Sequence, residues 1–399
     1  QACGPSSAAW EGTITDSAGV AIVQNTATPL WIGDEAWTVT EDLRIGTVAG
    51  EPQYQFGMVA YMDVADDGTI YVMDMQAQEV RAFDHQGNYL TTIGGPGGGP
   101  GEMGQGSVFV LVDTEGGLVV PDMGNRRVNL YGPDGEPRGS FPIQLQAGVP
   151  MRWELDDGGR LMAQLRGMDL PGVEALEGGD PIVVYDTTGA VVDTVAVIPK
   201  GGVLEGISEE GVSIRVFAPE PVWGLDADGS IYYAMSDKFN VFVNNPDGTL
   251  ARIIRKDVPV KPVEEADREA LLGLMREQYE EFGLPPAQIE QIMAGVGFAE
   301  SYPAFGNLLV GPQGTLWVQR VRSARDMGVG VEEGVVFDPQ DMGSPEWEIM
   351  DARGRFLGVV TLPDRFRPVQ MVGDHIYGIW QDELDVQYVM RLRVDRPAE

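Results

Sequence analysis

The chain has 399 residues, 43% of them hydrophobic and 8% aromatic, with 53 glycines and 27 prolines, enough apolar content for a large core and enough turn formers for many short elements. Sixty-one acidic residues against 27 basic ones give a formal charge of −34, which excludes a broad basic face for nucleic acid or for anionic lipid headgroups. No run approaches the roughly 18 apolar residues that a membrane-spanning helix needs.

The chain opens on Gln1-Ala2, and its single cysteine is Cys3, so no intrachain disulfide can form. Ala2-Cys3-Gly4-Pro5-Ser6-Ser7 resembles the junction at which bacterial lipoprotein signal peptides end. That resemblance makes Cys3 a candidate for lipidation and membrane anchoring. It implies a place outside the cytoplasm: periplasm, cell surface or secreted. Gly4 to Ala9 reads as a short flexible tether, and residues 1–33 as an N-terminal tether and extension.

From residue 34 onward one grammar repeats. Asp66-Asp67-Gly68 leads into the apolar strand Thr69 to Asp74, and Thr114-Glu115-Gly116 leads into Gly117 to Asp122. A second strand, a second Gly-bearing turn and a third strand follow in each case. The same order recurs from Arg152, Val222, Asn307 and Pro368. Short alternating segments between Gly/Asp turns, repeating about every 45 residues, are the signature of four-stranded propeller blades. Labelling strands a to d from the centre outward, the blades run Met58–Ile93, Ser107–Pro142, Met151–Val197, Val222–Lys256 and Phe305–Leu362. The last supplies three strands, ending in Tyr388–Val394. Its missing outer strand is expected from Trp37–Ile45, which would close the ring and remove the exposed edges. The expected fold is therefore all-β: a six-bladed β-propeller over residues 34–399, closed by an N-terminal strand and carrying a helical hairpin insertion at 257–304.

Tyr71-Val72-Met73-Asp74 through Arg81-Ala82-Phe83-Asp84, then Gly94 to Glu102, resembles the NHL-type repeat of bacterial six-bladed propellers, and Asp122-Met123-Gly124-Asn125-Arg126-Arg127-Val128 is similar to it more closely still. Asp16-Ser17-Ala18-Gly19-Val20, followed by a Trp-rich strand, resembles the N-terminal segment of a group of exported bacterial propellers largely without assigned chemistry. In NHL-type repeats, the polar positions matched by Asp74, Asp122, Asn125, Arg126 and Arg127 chiefly tie neighbouring blades together.

Loop class separates two faces. The pairs Asp67-Gly68, Asp134-Gly135, Asp157-Gly158, Asp228-Gly229, Asp247-Gly248 and Gln313-Gly314 fall at a–b or c–d turns, where glycine reaches φ > 0 without strain. Every long insertion falls instead at a b–c loop or a d-to-a connection: 94–106, 167–180, 199–221, 257–304 and 322–346. Loops of this length are usually functional or disordered, so the loop-rich face is expected to be the working one. Within 257–304 an acidic helix start at Pro262 to Asp267 precedes Leu271, Leu274, Met275, Tyr279 and Phe282 at helical spacing. Gly283 ends that helix, and Pro285-Pro286 opens a second one carrying Ile289, Ile292 and Met293. The pair is expected to pack its apolar stripe on the propeller.

Chemistry-bearing patterns are sparse. Gly94 to Glu102 lacks the Lys-Ser/Thr ending and the following helix of a phosphate loop, and reads as a blade connector. His85 and His375 lie on different blades and cannot form a His-rich zinc site. Two histidines and no Gly-x-Ser-x-Gly elbow leave no nucleophilic triad. No cofactor is expected, although carboxylates and carbonyls could hold calcium. Trp153, Trp223, Trp317 and Trp380 are expected between blades. Candidate ligand or partner contacts on the loop-rich face are Asp74, Glu102, Asp122, Asn125, Arg126 and Arg127; a guanidinium there would suit a carboxylate-bearing ligand. The expectation is a non-catalytic binding or scaffold module for a protein, peptide or glycan, such as an accessory subunit of a cell-envelope assembly. The alternative is a calcium-dependent propeller lyase or lactonase-like hydrolase.

Overall fold

Asp-initiated turns set the rhythm of the strands. At Asp84, Asp113, Asp186, Asp351 and Asp382 one carboxylate oxygen accepts the backbone N–H groups two and four residues on. The chain thereby reverses in a type I turn whose last residue has positive φ, and the flanking strands are held in register. In the turn read as Asp157-Gly158 the left-handed residue is Gly159 (φ +74°), one position later, because Asp156 initiates it. Gln313 and Gly314 both have positive φ, as a two-residue hairpin requires.

The computed structural model describes residues 9–31, 36–167, 176, 178–208, 211–324, 326 and 343–397. The N-terminal segment supplies β1 (Thr13–Ser17), β2 (Val20–Asn25) and β3 (Thr38–Ile45). Blade one is β4 (Val59–Val64), β5 (Ile70–Asp74), β6 (Glu79–Phe83) and β7 (Tyr89–Gly94), and blade two is β8 (Leu111–Val112), β9 (Leu118–Asp122), β10 (Arg127–Tyr131) and β11 (Pro137–Pro142). Blade three is β12 (Val149–Leu155), β13 (Leu161–Arg166), β14 (Asp180–Tyr185) and β15 (Val191–Ile198). Two further strands, β16 (Leu204–Ser208) and β17 (Gly211–Val216), precede blade four, which is β18 (Pro221–Leu225), β19 (Ile231–Met235), β20 (Asn240–Asn244) and β21 (Leu250–Lys256). Helices α1 (Glu265–Glu281) and α2 (Pro286–Ala294) and strand β22 (Val296–Phe298) intervene. Blade five is β23 (Leu308–Gly311), β24 (Thr315–Val321), β25 (Gly343–Met350) and β26 (Phe356–Thr361); blade six is β27 (Phe366–Val372), β28 (His375–Gln381), β29 (Gln387–Asp395) and β3.

The chain is thus a six-bladed β-propeller, and its first β-strand after the Trp-rich segment closes the ring: β3 pairs antiparallel with β29 from Val389↔Ile45 to Asp395↔Thr38. The cores lie between blades. Trp153, Trp223 and Trp317 are almost fully buried there, whereas Trp380 is half-buried under the Arg44 guanidinium, 4.1 Å from its ring.

Two arrangements go beyond the repeat. The segment ahead of residue 34 is not a plain extension, since β1 and β2 enlarge blade four to six strands, β2 running parallel to β21 from Ala21↔Arg252 to Asn25↔Lys256. The chain then crosses blade five, where Leu30 and Trp31 donate to the carbonyls of Phe356 and Leu357 at 3.2 and 2.8 Å, before joining blade six. Trp31 packs at a tilt against Trp37 (5.2 Å between ring centres), which likewise meets Trp317 (6.3 Å). The N-terminus is therefore a strap over three consecutive blades.

The second is a small layer on the loop-rich face. Insertions 199–221 and 257–304 join through β17 and β22, which pair in parallel, with β16 antiparallel to β17. Leu271, Leu274 and Met275 of α1 pack there with Val216, Phe217 and Tyr302. The Asp267 carboxylate, buried, accepts the Glu264 amide at 3.0 Å and caps α1. Phe282, expected in the apolar stripe, is instead 78% exposed, because it follows the last turn of α1 at the tip of the hairpin. Most of 167–180 and 322–346, together with Cys3 and all but the end of the tether, lies outside the described residues.

Candidate functional site

The candidate residues fall into two groups: Asp74 stands apart on blade one, whereas Glu102, Asp122, Asn125 and Arg127 gather at the connector into blade two. Asp74 is fully buried and accepts the amides of Gly57, Met58 and Ala77, with Arg81 3.4 Å away. Asp122, also fully buried, accepts the amides of Gly104 and Asn125 and the side chains of Asn125 and Asn129. Arg127 donates to the carbonyls of Gly98, Gly99 and Glu102, and Asn125 to that of Gly97. Glu102 accepts the Gly99 amide at 2.7 Å. The blade-two groups shape the glycine-rich 94–106 connector and fasten it to blade two, while Asp74 fastens the entry into blade one. Arg126, held at φ +53°, is exposed on the same face.

A second cluster lines the inner strands. Asp63 of β4 accepts the amides of Val64 (2.8 Å) and Val112 of β8 (2.7 Å), so it ties blade one to blade two. Gln370 of β27 takes the same Val64 amide at 3.1 Å, adding blade six. Enclosure by the ring pushes the Asp63 carboxyl up to about 7, with Glu154 reinforcing the effect. The neighbouring Tyr61 hydroxyl is held well above its usual range, again chiefly by burial, and its ring lies 4.9 Å from Phe109. Arg152 pairs with Glu154 and donates to the Trp223 carbonyl, joining blades three and four.

Among the described residues a concave site lies between blades four and five, on the loop-rich face. A cavity of about 320 Å³ is walled by apolar side chains, chiefly Phe239, Tyr302 and Phe305, and is lined also by the exposed Ala27 of the strap. Its polar wall carries Lys256, Lys261 and Arg320 against Asp257 and Glu348. Lys256 is buried; its Nζ lies 2.6 Å from Glu348 Oε2 and 4.0 Å from the Phe356 ring centre. Arg320 Nε reaches Glu348 Oε1 at 3.0 Å, and its Nη1 reaches Glu346 at 3.1 Å. Buried Glu348 is thus bracketed by two cations. Sequence reading passed over this site because its members come from six separate stretches. One signal was present: two of the chain's four lysines, Lys256 and Lys261, stand five positions apart at the entrance to the longest insertion.

His375 lies 3.2 Å from Asp42 on blade six, while His85 sits in the c–d turn of blade one and contributes its carbonyl to Arg391. Among the described residues no three Asp, Glu, His or Cys side chains converge as a metal site. Among the described residues, no helix is long and apolar enough to cross a membrane.

Residues 53–140 match the DUF5128 family model, described as a 6-bladed beta-propeller. No curated protein matches the chain. Among solved structures, a Bacteroides fragilis protein inferred to be exported is 11% identical, with 94% of this chain and 100% of that one covered at a TM-score of 0.53. A DUF4221-family protein of Bacteroides vulgatus is 10% identical, with 92% and 100% covered and the same TM-score of 0.53. These likenesses are of fold. A gluconolactonase of Xanthomonas campestris is 10% identical over 90% of this chain and 100% of its own, but its TM-score of 0.41 carries no argument about activity.

Proposed function

We propose that the protein is a binding module outside the cytoplasm that presents its loop-rich face to a protein, peptide or glycan, as an accessory subunit of a cell-envelope assembly. Export, and anchoring through Cys3, belong to this proposal. One observation carries it: insertions from two separate connections fold onto one another around a shared apolar core, beside a cavity between blades four and five. A layer built on top of a complete ring is not needed to close the ring, and it shapes a surface instead.

The test is recovery of the tagged full chain from its native envelope, with mass spectrometry of its N-terminus. Pro262 and Ser301 form an isolated antiparallel bridge, so their ends are adjacent and 264–299 can be replaced by a short linker. A stable partner that the shortened, still cooperatively melting chain no longer retains supports the proposal. A partner retained by the shortened chain overturns it, and stoichiometric calcium in the purified protein would favour the hydrolase or lyase alternative.

A further inference from the structure

Resting on that reading, we infer that the cavity between blades four and five binds a carboxylate attached to an apolar body, of the size of one hydrophobic residue. Over the whole chain acidic residues outnumber basic ones by 61 to 27, yet the cavity is lined by three cationic side chains and two carboxylates. Each of these cations is already paired, Lys256 and Arg320 with Glu348, Arg320 also with Glu346 and Lys261 with Asp326, so an anionic group settles there by competing for the donors those pairs leave open.

Donor geometry adds to this. Lys256 and Glu348 are buried and satisfy each other, forming the fixed floor. Arg320 spends Nε on Glu348 and Nη1 on Glu346, and among the described residues its Nη2 has no hydrogen-bond partner. Lys261 pairs with Asp326, with both side chains about half exposed, and its ammonium lies 5.7 Å from the Tyr302 ring centre. Exposed pairs of this kind contribute roughly 0–1 kcal/mol, so Lys261 can be recruited by a competing carboxylate at small cost. The guanidinium supplies a directional donor and the ammonium a mobile one.

Beside these cations, Phe239, Tyr302, Phe305 and Val258 give the cavity its apolar lining. A volume of about 320 Å³ lies at the small end of ligand sites, enough for one aromatic or branched side chain with its carboxylate and too small for an extended peptide. Two sources offer this chemistry: the C-terminal residue of a polypeptide and a free arylalkanoic or acyl carboxylic acid.

The experiment titrates the full chain with N-acetyl-phenylalanine, N-acetyl-phenylalaninamide and 3-phenylpropionate, reading binding by ligand-observed NMR. The acetylated amino acid should bind at least tenfold more tightly than its amide. Preference over phenylpropionate would assign a polypeptide C-terminus, and the reverse a free acid. Arg320→Gln should lose at least tenfold. Because Arg320 also supports Glu348, Ala27→Trp at an exposed lining position provides a second variant, which should fill the cavity and block binding with the melting transition intact. Equal binding of acid and amide, or no binding of either acid at millimolar concentration, overturns the inference. If that happens while the native partner still depends on 264–299, only the carboxylate assignment falls; loss of both results removes the docking face as well.

Discussion

Asn25 and Phe356 stand 331 residues apart, and the Asn25 side-chain oxygen accepts the Phe356 amide at 2.8 Å. The other end of the same side chain donates to the carbonyls of Gly354 (2.9 Å) and Arg255 (3.3 Å), and Trp10 donates to its oxygen at 3.1 Å. One residue, 2% exposed, therefore joins the strap to the outer strands of blades four and five. Asn25→Ala leaves several of these groups buried without partners, and should lower stability by about 2–3 kcal/mol in urea unfolding. A change below about 0.5 kcal/mol, the range of an ordinary surface substitution, would show that the strap is dispensable.

The strap also rests on a glycine. A Cβ on Gly358 would fall 2.2 Å from Trp31 Cε3, so Gly358→Ala must push the indole off blade five. Loss of packing against Trp37 and Trp317 should lower stability by about 1–3 kcal/mol and alter tryptophan fluorescence in the folded state. Removing residues 1–46 goes further, because it takes away β3 and bares the edge of β29. The truncated chain should melt lower as a whole and associate; melting like the intact protein would contradict ring closure by this strand.

At the cavity floor, Glu348→Gln leaves the buried Lys256 ammonium without its counter-charge, and should cost about 3–5 kcal/mol. Adding Lys256→Met to that variant should recover much of the loss, since an apolar chain of similar length then lies on the Phe356 ring. The double-mutant cycle by chemical denaturation decides it. Simple additivity of the two substitutions would mean that the pair does not act as a unit.

The ring was legible because its signals are local. Each Asp–Gly turn declares itself within five residues, and six repeats in one order leave little choice of architecture. Even the closing strand could be assigned, since blade six lacked a partner that Trp37 to Ile45 could supply. What stayed hidden depends on contacts remote in sequence. Nothing near Val20 to Asn25 announces parallel pairing with Leu250 to Lys256, and nothing near Val212 announces β22. For Asp74, Asp122 and Arg127 the repeat resemblance already implied a structural role beside the candidate binding one; which backbone amides and carbonyls their carboxylates and guanidinium turn to depends on contacts far along the chain. Phe282 kept helical spacing but lay one residue past the helix, where spacing no longer predicts a face.

The Asp63 carboxyl offers the sharpest pH test. Its value rises from 3.8 to about 7 because folding encloses it in the ring, with Glu154 adding repulsion and the Val64 and Val112 amides offsetting part of the effect. Between those values the unfolded chain has lost the proton while the folded chain retains it. The folded state therefore binds more protons, and stability falls as pH rises through this window. The contribution is fully present below about pH 4 and lost above about pH 7, amounting to about 2–4 kcal/mol. Asp63→Asn removes the titration while preserving an oxygen for one of the two amides. Unfolding free energies of the two proteins, measured from acid to neutral pH, should diverge across that interval, with the wild type losing ground as pH rises. Parallel curves would mean that Asp63 ionises in the channel as it does in water.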